Sequence, residues 1–322
     1  MIRLVIHGGA GALPRHEMTP ARAAEFHAAL RTALLTGHRI LAGGGSALDA
    51  VEATVVALED CPLFNAGRGS AFTREGTVEM EASIMDGATL RAGASLLLRQ
   101  VRNPVRLARL IMERTGHVTL AADAAERFAA EHGLALEPPA YFFTQFRYDA
   151  MLRLRGTDRT TLSEDEVVPA VQPTDQDASG TVGAVALDQH GHLAAATSSG
   201  GTTNKRAGRV GQACAIGGGC FADDATCAVS CTGHGEAFVR TAAAHDLAAR
   251  LRYQGTPLAD AAAAVLRDRI KAVGGRGGLI ALDAGGRFTL PFNTQGMYRG
   301  WIGDDARGAT GIYDASTEQP LG

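Results

Sequence analysis

The 322-residue sequence is poor in several residue types, and each shortage argues against a class of protein. Five cysteines, an odd number, do not form the disulfide framework of a small secreted domain. Aromatic residues make up only 5%, which argues against a surface on which nucleic-acid bases stack. The 31 basic and 34 acidic residues nearly balance, so we expect no basic face and no nucleic-acid partner.

Long apolar runs are also missing. No run is long enough to span a bilayer, so we expect no membrane partner. The first residues, MIRLVIHGGAG, lack the longer apolar core and the cleavage site of a signal peptide. These features predict a cytoplasmic protein.

Three further motifs are absent. No G-x-G-x-x-G follows a strand, which disfavours a dinucleotide-dependent dehydrogenase. No G-x-S-x-G elbow supports an α/β-hydrolase serine, and the ten histidines are scattered. Four cysteines lie close together without a C-x-x-C pair, so we interpret them as small buried hydrophobes. They are Cys214, Cys220, Cys227 and Cys231.

Strands come in runs and helices in pairs, which predicts an α+β fold of stacked sheets covered by helices. The predicted strands are 3–7, 77–87 (half-buried, because its polarity alternates), 92–98, the hairpin 181–188 with 193–200, 227–232, 278–283 and 287–292. Thr19 and Ser46 are the N-caps of the first two helices. Further helices are predicted within 103–116, 120–133, 236–255 and 257–274.

A polar segment from about 150 to 180 ends abruptly at Gly180 and Thr181. We interpret it as a mobile linker, and the TVGAVALD that follows as a buried strand. Threonine often begins a strand, but a cut before Thr181 would also give it a free α-amine with a pKa of about 8. Such an amine can act as the base for the residue's own hydroxyl, so we expect cleavage between Gly180 and Thr181 and an N-terminal nucleophile.

Several long motifs resemble one known family. DASGTVGAVALDQHGHLAAATSSGGTTNKRAGRVGQ, followed by CTGHGE, is similar to the core of the plant-type asparaginases and isoaspartyl peptidases, which are N-terminal-nucleophile hydrolases. IHGGAGA, LEDCPLFNAGRGSAFT and LPFNTQGMYRG resemble this family too, so the likeness covers nearly the whole chain. It implies a four-layer αββα sandwich in a single domain, 1–322. It also implies cleavage into an α subunit, 1–180, and a β subunit, 181–322, and a homodimer of αβ heterodimers.

The resemblance also implies an activity, the hydrolysis of β-aspartyl (isoaspartyl) peptides and L-asparagine with release of L-aspartate. Thr181 would be the nucleophile. Ser199, where the family usually has threonine, would hydrogen-bond it. Thr232 and the backbone N–H of Gly233 would form the oxyanion hole, and no cofactor would be needed for catalysis.

For substrate binding, the resemblance implies that Arg209 clamps the α-carboxylate with two parallel hydrogen bonds. Gly235 would offer its carbonyl to the α-amine, and Asn65 would line the pocket. His234, in the same turn, is expected to be structural. The fragment around 58–68 resembles the family's sodium loop, which implies a structural sodium ion bound through backbone carbonyls. The loop residues are Leu58, Glu59, Cys61, Phe64, Ala66 and Arg68.

One position departs from the family pattern. Three residues after Arg209 the family usually has an aspartate that pairs with the substrate's α-ammonium, and this chain has Gln212. A neutral amide accepts a hydrogen bond without supplying charge, so affinity for a free amine should be weaker unless Asp223 or Asp224 reaches the site.

Alternatives remain open at this point. SSGG and GRVGQ also resemble threonine aspartase, an endopeptidase that needs no free amine on its substrate. A glycosylasparaginase-like enzyme shares the nucleophile. A non-catalytic, uncleaved ligand-binding homologue would keep the pocket without the cut.

Overall fold

The structure is a computed structural model that describes residues 1–12, 15–157, 180–314 and 318–321. Both helices and large β-sheets are present, so the predicted α+β class is confirmed. None of the helices within these residues is long and apolar enough to cross a membrane.

The strands of the described residues fall in two sheets. They are β1 (Arg3–Ala10), β2 (Met80–Asp86), β3 (Ala92–Leu98), β4 (Thr119–Ala121), β5 (Val182–Leu187), β6 (Leu193–Ser199), β7 (Cys220–Ala222), β8 (Cys227–Gly233), β9 (Gly277–Asp283), β10 (Phe288–Thr289), β11 (Met297–Gly303), β12 (Gly308–Gly311) and β13 (Gln319–Pro320). The large sheet has the order β13-β12-β11-β1-β5-β6-β2-β3-β4, and the small one β10-β9-β8-β7. Strands from before and after residue 180 therefore alternate at the centre of the large sheet.

The helices of the described residues are α1 (Pro20–Ala42), α2 (Ala47–Glu59), α3 (Pro104–Arg114), α4 (Ala122–Glu131), α5 (Pro139–Phe142), α6 (Gln145–Leu154), α7 (Gly235–Thr241), α8 (Ala243–Gln254) and α9 (Leu258–Ala264). After α9 the chain continues as a π-helical turn, Val265–Ile270. Thr19 caps α1, since its hydroxyl accepts from Arg22 N at 3.2 Å, and Ser46 caps α2 in the same way through Asp49 N at 3.1 Å. Both predicted caps are confirmed.

Three clusters of apolar side chains join the layers of helices and sheets that position the site. One cluster joins α1 and α2 to the large sheet through residues such as Leu30, Val51 and Ala184. A second joins α7–α9 to the small sheet. A third lies where the two sheets meet and includes Val185 and Ile280. Strand β5, which begins directly after Thr181, is therefore buried on both faces.

Two predictions about elements were wrong. Strand β2 is not half-buried, because helices cover one face of its sheet and the second sheet covers the other. The helix expected over 236–255 is divided at Ala242, whose φ of +47° separates α7 from α8. In the segment of about 150–180 that is predicted to be mobile, residues 150–154 end helix α6 and a turn follows up to Thr157. Residues 158–179 lie outside the described residues, so the mobility of the segment stays a prediction. Strand β11, next to β1 at the centre of the sheet, was not predicted at all.

Candidate active site

Thr181 and Ser199 meet at one end of the β5–β6 hairpin. The antiparallel register pairs Val182 with Ser198, which places the preceding threonine opposite Ser199. Thr181 Oγ1 donates to Ser199 Oγ at 3.1 Å, and both side chains are buried. Ser199 Oγ also accepts from Gly201 N at 3.0 Å. The structure thus brings together the predicted nucleophile and the hydroxyl expected to bind it.

Gln212 completes the surroundings of the Thr181 hydroxyl. Its side-chain Nε2 donates to Thr181 Oγ1 at 2.9 Å, and the residue is only 2% exposed. The backbone on either side of Gln212 is fixed by one buried carboxylate, Glu81, which accepts from Gly211 N at 2.8 Å and Ala213 N at 3.2 Å. The neutral amide therefore lies beside the predicted nucleophile itself. Glu81 holds the backbone on both sides of Gln212, a role that the sequence motifs did not indicate.

The backbone of Gly180 lies against the glycine-rich end of β1. A Cβ added to Gly9, whose φ is +115°, would lie 2.7 Å from both the nitrogen and the oxygen of Gly180. On its other side, a Cβ on Gly180 would lie 2.6 Å from Thr232 Oγ1. The peptide that is predicted to be cut is therefore enclosed by backbone that only glycine permits. The motif IHGGAGA supported the family resemblance, but its close approach to Gly180 depends on the pairing of β1 with β5.

Thr232 and Gly233 end strand β8 beside Gly180. Thr232 Oγ1 accepts from Ala10 N at 3.0 Å, which leaves the hydroxyl proton to be donated. Gly233 has a φ of +136° and lies against the backbone of Arg276 and Gly277. Thr232 therefore lies beside the peptide predicted to be cut, and the oxyanion hole of Thr232 and Gly233 stays a prediction. His234 follows as a structural residue, because its Nδ1 accepts from Arg276 N at 3.3 Å.

Arg209 is part of the site and is paired within the protein. Its Nε and Nη2 donate to the two carboxylate oxygens of Glu236, each at 2.9 Å, and its side chain is 15% exposed. A Cβ on Gly235 would lie 2.6 Å from Gln212 Oε1 and 2.7 Å from Arg209 Nη2. Gly235 therefore sits between the two predicted substrate-binding side chains, and Glu236 is a neighbour of Arg209 that was not predicted.

Neither aspartate that could have replaced the missing family aspartate reaches the site. Asp223 pairs with Arg252 Nη2 at 2.5 Å. Asp224 accepts from His192 Nδ1 at 2.8 Å and from Leu193 N at 2.7 Å. Asp223 is thus held by helix α8 and Asp224 by the hairpin between β5 and β6, and that option is therefore wrong.

Asn65 supports the site through two backbone contacts. Its Nδ2 donates to Gly201 O at 2.7 Å, and its Oδ1 accepts from Ala71 N at 2.8 Å. Because Gly201 N binds Ser199, Asn65 helps to fix the turn behind the nucleophile. Its expected contact with substrate remains a prediction.

A buried lysine holds the same turn and was not predicted. Lys205 Nζ donates to the carbonyls of Gly200, at 2.8 Å, and Glu79, at 2.5 Å. Burial lowers the pKa of Lys205 to about 8, although the nearby carboxylate of Glu81 favours the charged form. The ammonium and the Glu81 carboxylate thus fix the two ends of the segment that carries Arg209 and Gln212.

His7, within strand β1, interacts with the backbone of Thr181. Its Nε2 shares a hydrogen bond of 2.8 Å with Ser230 Oγ, which in turn lies 2.8 Å from Thr197 Oγ1. Burial lowers the pKa of His7 to about 3, and its interaction with the backbone of Thr181 opposes this only in part. The ring is therefore neutral and is held by a hydrogen bond with the hydroxyl of Ser230.

The loop predicted to bind sodium follows helix α2. Gly67 and Gly69 allow the carbonyls of Glu59, Pro62 and Phe64 to approach closely. The Glu59 carboxylate is buried and accepts from Ser198 Oγ at 2.6 Å and Val105 N at 3.1 Å. Carbonyl oxygens are the hard donors that a cation such as sodium prefers, so the chemistry of this loop fits such an ion, and its binding stays a prediction. Within the described residues no cluster of His, Cys, Asp and Glu could hold a metal.

The four clustered cysteines are free and buried, as predicted. Burial raises the pKa of Cys220 to about 11 and that of Cys227 to about 12. These thiols remain protonated at neutral pH and are poor nucleophiles.

Together, the α+β fold and this site define a hydrolase with a threonine hydroxyl at the start of a central strand. The chain belongs to the asparaginase family, whose model matches residues 1–312. The isoaspartyl peptidase of Salmonella typhimurium is 47% identical over 311 residues, which cover 96% of this chain and 98% of that protein. The isoaspartyl peptidase of Escherichia coli is also 47% identical over 311 residues, with coverage of 96% and 95%. The isoaspartyl peptidase/L-asparaginase of Xenopus laevis is 40% identical over 302 residues, with coverage of 94% and 92%. The resemblance seen in the motifs is confirmed.

Proposed function

We propose that the protein is an isoaspartyl peptidase and L-asparaginase that cuts its own chain before Thr181 and then uses this residue as its nucleophile. The observation that carries the proposal is the arrangement around one hydroxyl. Thr181 Oγ1 is held by Ser199 and Gln212, while Gly180 lies against Thr232. The assignment of the substrates is supported by the names of the relatives, which are up to 47% identical over nearly the full chain.

In the proposed cycle, the free α-amine of Thr181 accepts the hydroxyl proton through a water molecule. Oγ1 attacks the side-chain carbonyl of an asparagine or β-aspartyl residue. The oxyanion is stabilised by the hydroxyl of Thr232 and the N–H of Gly233, each worth about 3 kcal/mol. The proton passes to the leaving nitrogen, which departs as ammonia or as the amine of a peptide. Water then hydrolyses the aspartyl ester and releases L-aspartate.

Substrate binding is assigned to the residues around Arg209. The guanidinium binds the α-carboxylate, and the carbonyl of Gly235 accepts from the α-amine. Gln212 faces the same amine through a neutral oxygen. Because Gln212 stands where the family has an aspartate, the α-ammonium meets a neutral amide oxygen at that position and no carboxylate.

The test is the intact mass of the purified protein, measured for the wild type and for Thr181→Ala. We expect the wild type to separate into fragments of residues 1–180 and 181–322 under denaturing conditions, while the variant stays whole. Cleaved protein should hydrolyse β-aspartyl dipeptides or L-asparagine. A wild type that stays whole after long incubation would favour the uncleaved ligand-binding homologue instead.

A second candidate is an endopeptidase similar to threonine aspartase. The observation in its favour is the neutral Gln212, because a substrate without a free amine needs no carboxylate at that position. Cleavage of a polypeptide with a blocked α-amine, and none of β-aspartyl dipeptides, would select this candidate.

We also propose the larger organisation that the family suggests. The sheets and their two helical coverings form the four-layer αββα sandwich of a single domain, supported by the three apolar clusters. Two αβ heterodimers associate as a homodimer, and the protein is cytoplasmic. Light scattering on the native protein tests the dimer, which should have about twice the 33.4 kDa of one chain.

We propose that the loop 58–68 binds a sodium ion that stabilises the fold without taking part in catalysis. The backbone carbonyls of Glu59, Pro62 and Phe64, which lie close against Gly67 and Gly69, support this proposal. Replacing sodium by choline at constant ionic strength should lower Tm, because an ion that binds only the folded state stabilises it. An unchanged Tm would contradict sodium binding.

A further inference from the structure

The side chain of Gln212 is held firmly up to its terminal amide. Besides the two backbone contacts with Glu81, the carbonyl of Gln212 accepts from Ala215 N at 3.0 Å. Its stem packs against Gly219, where an added Cβ would lie 2.9 Å from Gln212 Cγ. Because the backbone and the stem are both held, the position of the amide in the site is fixed as well.

The two ends of this amide face different groups. The nitrogen, Nε2, donates to Thr181 Oγ1 at 2.9 Å. The oxygen, Oε1, lies on the side of Gly235, where an added Cβ would be 2.6 Å away from it. The carbonyl of Gly235 is assigned to the substrate's α-amine. The amide oxygen therefore faces the position of that amine, while the amide nitrogen faces the nucleophile.

The hydrogen bonds of Thr181 Oγ1 give Gln212 a distinct role. Oγ1 donates its own proton to Ser199 Oγ at 3.1 Å, and Ser199 Oγ also accepts from Gly201 N at 3.0 Å. Among the residues that the structure describes, the group that donates to Oγ1 is Gln212 Nε2. An ionised aspartate at this position would have acceptor oxygens alone. Glutamine thus places a hydrogen-bond donor on the reacting oxygen.

We propose that Gln212 is a catalytic residue, whose amide N–H stabilises the negative charge that develops on Thr181 Oγ1. The proposal rests on the proposed function. Charge develops on Oγ1 when the α-amine takes the hydroxyl proton for the attack, and again when the ester bond to the aspartyl carbon breaks. A hydrogen bond to a charged oxygen is stronger than one to a neutral oxygen, so the donor lowers the barrier of both steps.

Gln212 transfers no proton in either step. The hydroxyl proton passes through the α-amine of Thr181 to the leaving nitrogen. In the second half of the cycle, the attacking water gives a proton to the same amine, and this proton returns to Oγ1 as the ester bond breaks. The amide therefore acts by its fixed N–H dipole, and the α-amine remains the base.

Gln212→Met removes the donor and keeps a side chain of similar length. We expect kcat for a β-aspartyl dipeptide, measured on cleaved protein, to fall about ten- to hundredfold. KM also changes, since Oε1 is lost, so kcat is the decisive quantity. Gln189→Glu is the control and should keep the wild-type kcat, because Gln189 is exposed at the opposite end of the β5–β6 hairpin. An unchanged kcat in Gln212→Met would overturn the proposal.

Gln212→Glu gives a signature in the pH profile that altered packing alone would not give. A protonated carboxyl can still donate to Oγ1, whereas an ionised one cannot. The ratio of the variant's kcat to that of the wild type should therefore fall at least about tenfold between pH 5 and pH 9. The charged groups that face this position are Glu81, Arg209 and the α-amine of Thr181, and both proteins contain them. A ratio that does not depend on pH would overturn the proposal.

Cutting before Thr181 uses the same oxygen, so it replaces kcat as the readout if a variant stays uncut. The rate of cutting, followed by intact mass, should then show the same loss in Gln212→Met and the same pH dependence in Gln212→Glu. A folded Gln212→Glu that is neither cut nor active at any pH would overturn the proposal. A wild type that is neither cut nor active would instead contradict the proposed function, so the two failures are distinguishable.

Discussion

The buried Thr181 Oγ1 is hydrogen-bonded to the hydroxyl of Ser199 and to the side-chain amide of Gln212. The chemistry of this group of side chains differs from that of a serine–histidine pair. The threonine hydroxyl donates to Ser199 and accepts from Gln212. His7, which interacts with the backbone of Thr181, is bound to Ser230 and kept neutral by burial. The described side chains thus orient the hydroxyl without supplying a strong base, which is the situation in which an N-terminal amine is needed.

Replacing Gln212 tests how the substrate amine is held. Gln212→Asp should lower KM for β-aspartyl dipeptides about fivefold, because a charge-assisted bond to the α-ammonium is stronger than a neutral one. Steady-state kinetics on cleaved protein measure this effect. Gln212→Asn is the matched control, since it has the size of aspartate without its charge. An unchanged or higher KM in Gln212→Asp would mean that the amine is held elsewhere.

Replacing His7 tests its buried, neutral state. The folded-state pKa is lowered to about 3 from 6.5, so the unfolded chain binds the proton first as the pH falls. The free energy of unfolding should therefore decrease below pH 6.5, by up to about 1.4 kcal/mol per pH unit from this residue. In His7→Gln the decrease between pH 7 and 5, followed by urea denaturation, should be shallower.

His16→Gln provides the comparison for His7, because the side chain of His16 is 81% exposed. Its pH dependence should match that of the wild type. If His7→Gln keeps the full wild-type slope, the buried imidazole is not the group that titrates in this range.

Among the elements, the end of strand β1 has an irregular conformation, which the local sequence explains only in part. The pairing of β1 with β11 shifts register between His7 and Gly9, and this irregularity brings the strand against Gly180. The turn after β6 is fixed in another way, by Lys205 and Asn65 through the carbonyls of Gly200 and Gly201. Buried polar side chains thus hold the glycine-containing turn after β6, whereas irregular strand pairing shapes the end of β1.

A side chain at Gly9 should interfere with cleavage. In Gly9→Ala the new Cβ would lie 2.7 Å from the nitrogen and oxygen of Gly180, so the peptide bond must shift. We expect the rate of cutting before Thr181 to fall about tenfold or more, measured by the intact mass over time.

Gly191→Ala is the matched control for Gly9→Ala. Gly191 also has a positive φ, +84°, but a Cβ there meets nothing within 4 Å. This variant should be cut at the wild-type rate, since it shares the backbone strain and lacks the contact. Equal rates for both variants would show that the approach of Gly9 to Gly180 does not control cleavage.

In the whole molecule, the two proposed fragments are interleaved. Strand β1, from the first fragment, lies between β5 and β11, both from the second. Strand β6 in turn pairs with β2, which belongs to the first fragment. A cut before Thr181 therefore breaks one peptide bond and leaves all the pairs of the central sheet in place.

We therefore expect cleaved protein to keep its native mass. In size-exclusion chromatography with light scattering, the cut wild type and uncut Thr181→Ala should elute together with equal mass. Under denaturing conditions, the wild type alone should separate into two species. Two native peaks for the wild type would contradict the interleaved sheet.

The sequence by itself determined the α+β class, both helix caps, the hairpin that carries Thr181, and the family. These features depend on local periodicity, on capping and on long contiguous motifs, all of which can be read along the chain. Thr181, Ser199, Thr232 and Gly235 were found in this way, and the structure brings them together.

Only the tertiary structure decided which distant groups meet at the site. Glu236 beside Arg209, Glu81 beneath Gln212, Lys205 behind Ser199 and Gly9 against Gly180 are all consequences of sheet pairing and loop packing. A charged residue has no local signal that distinguishes a buried partner from a solvated one, because its burial depends on chain segments far away in sequence. For the same reason, the alternation of β2 suggested one exposed face, although both of its faces are covered in the folded protein.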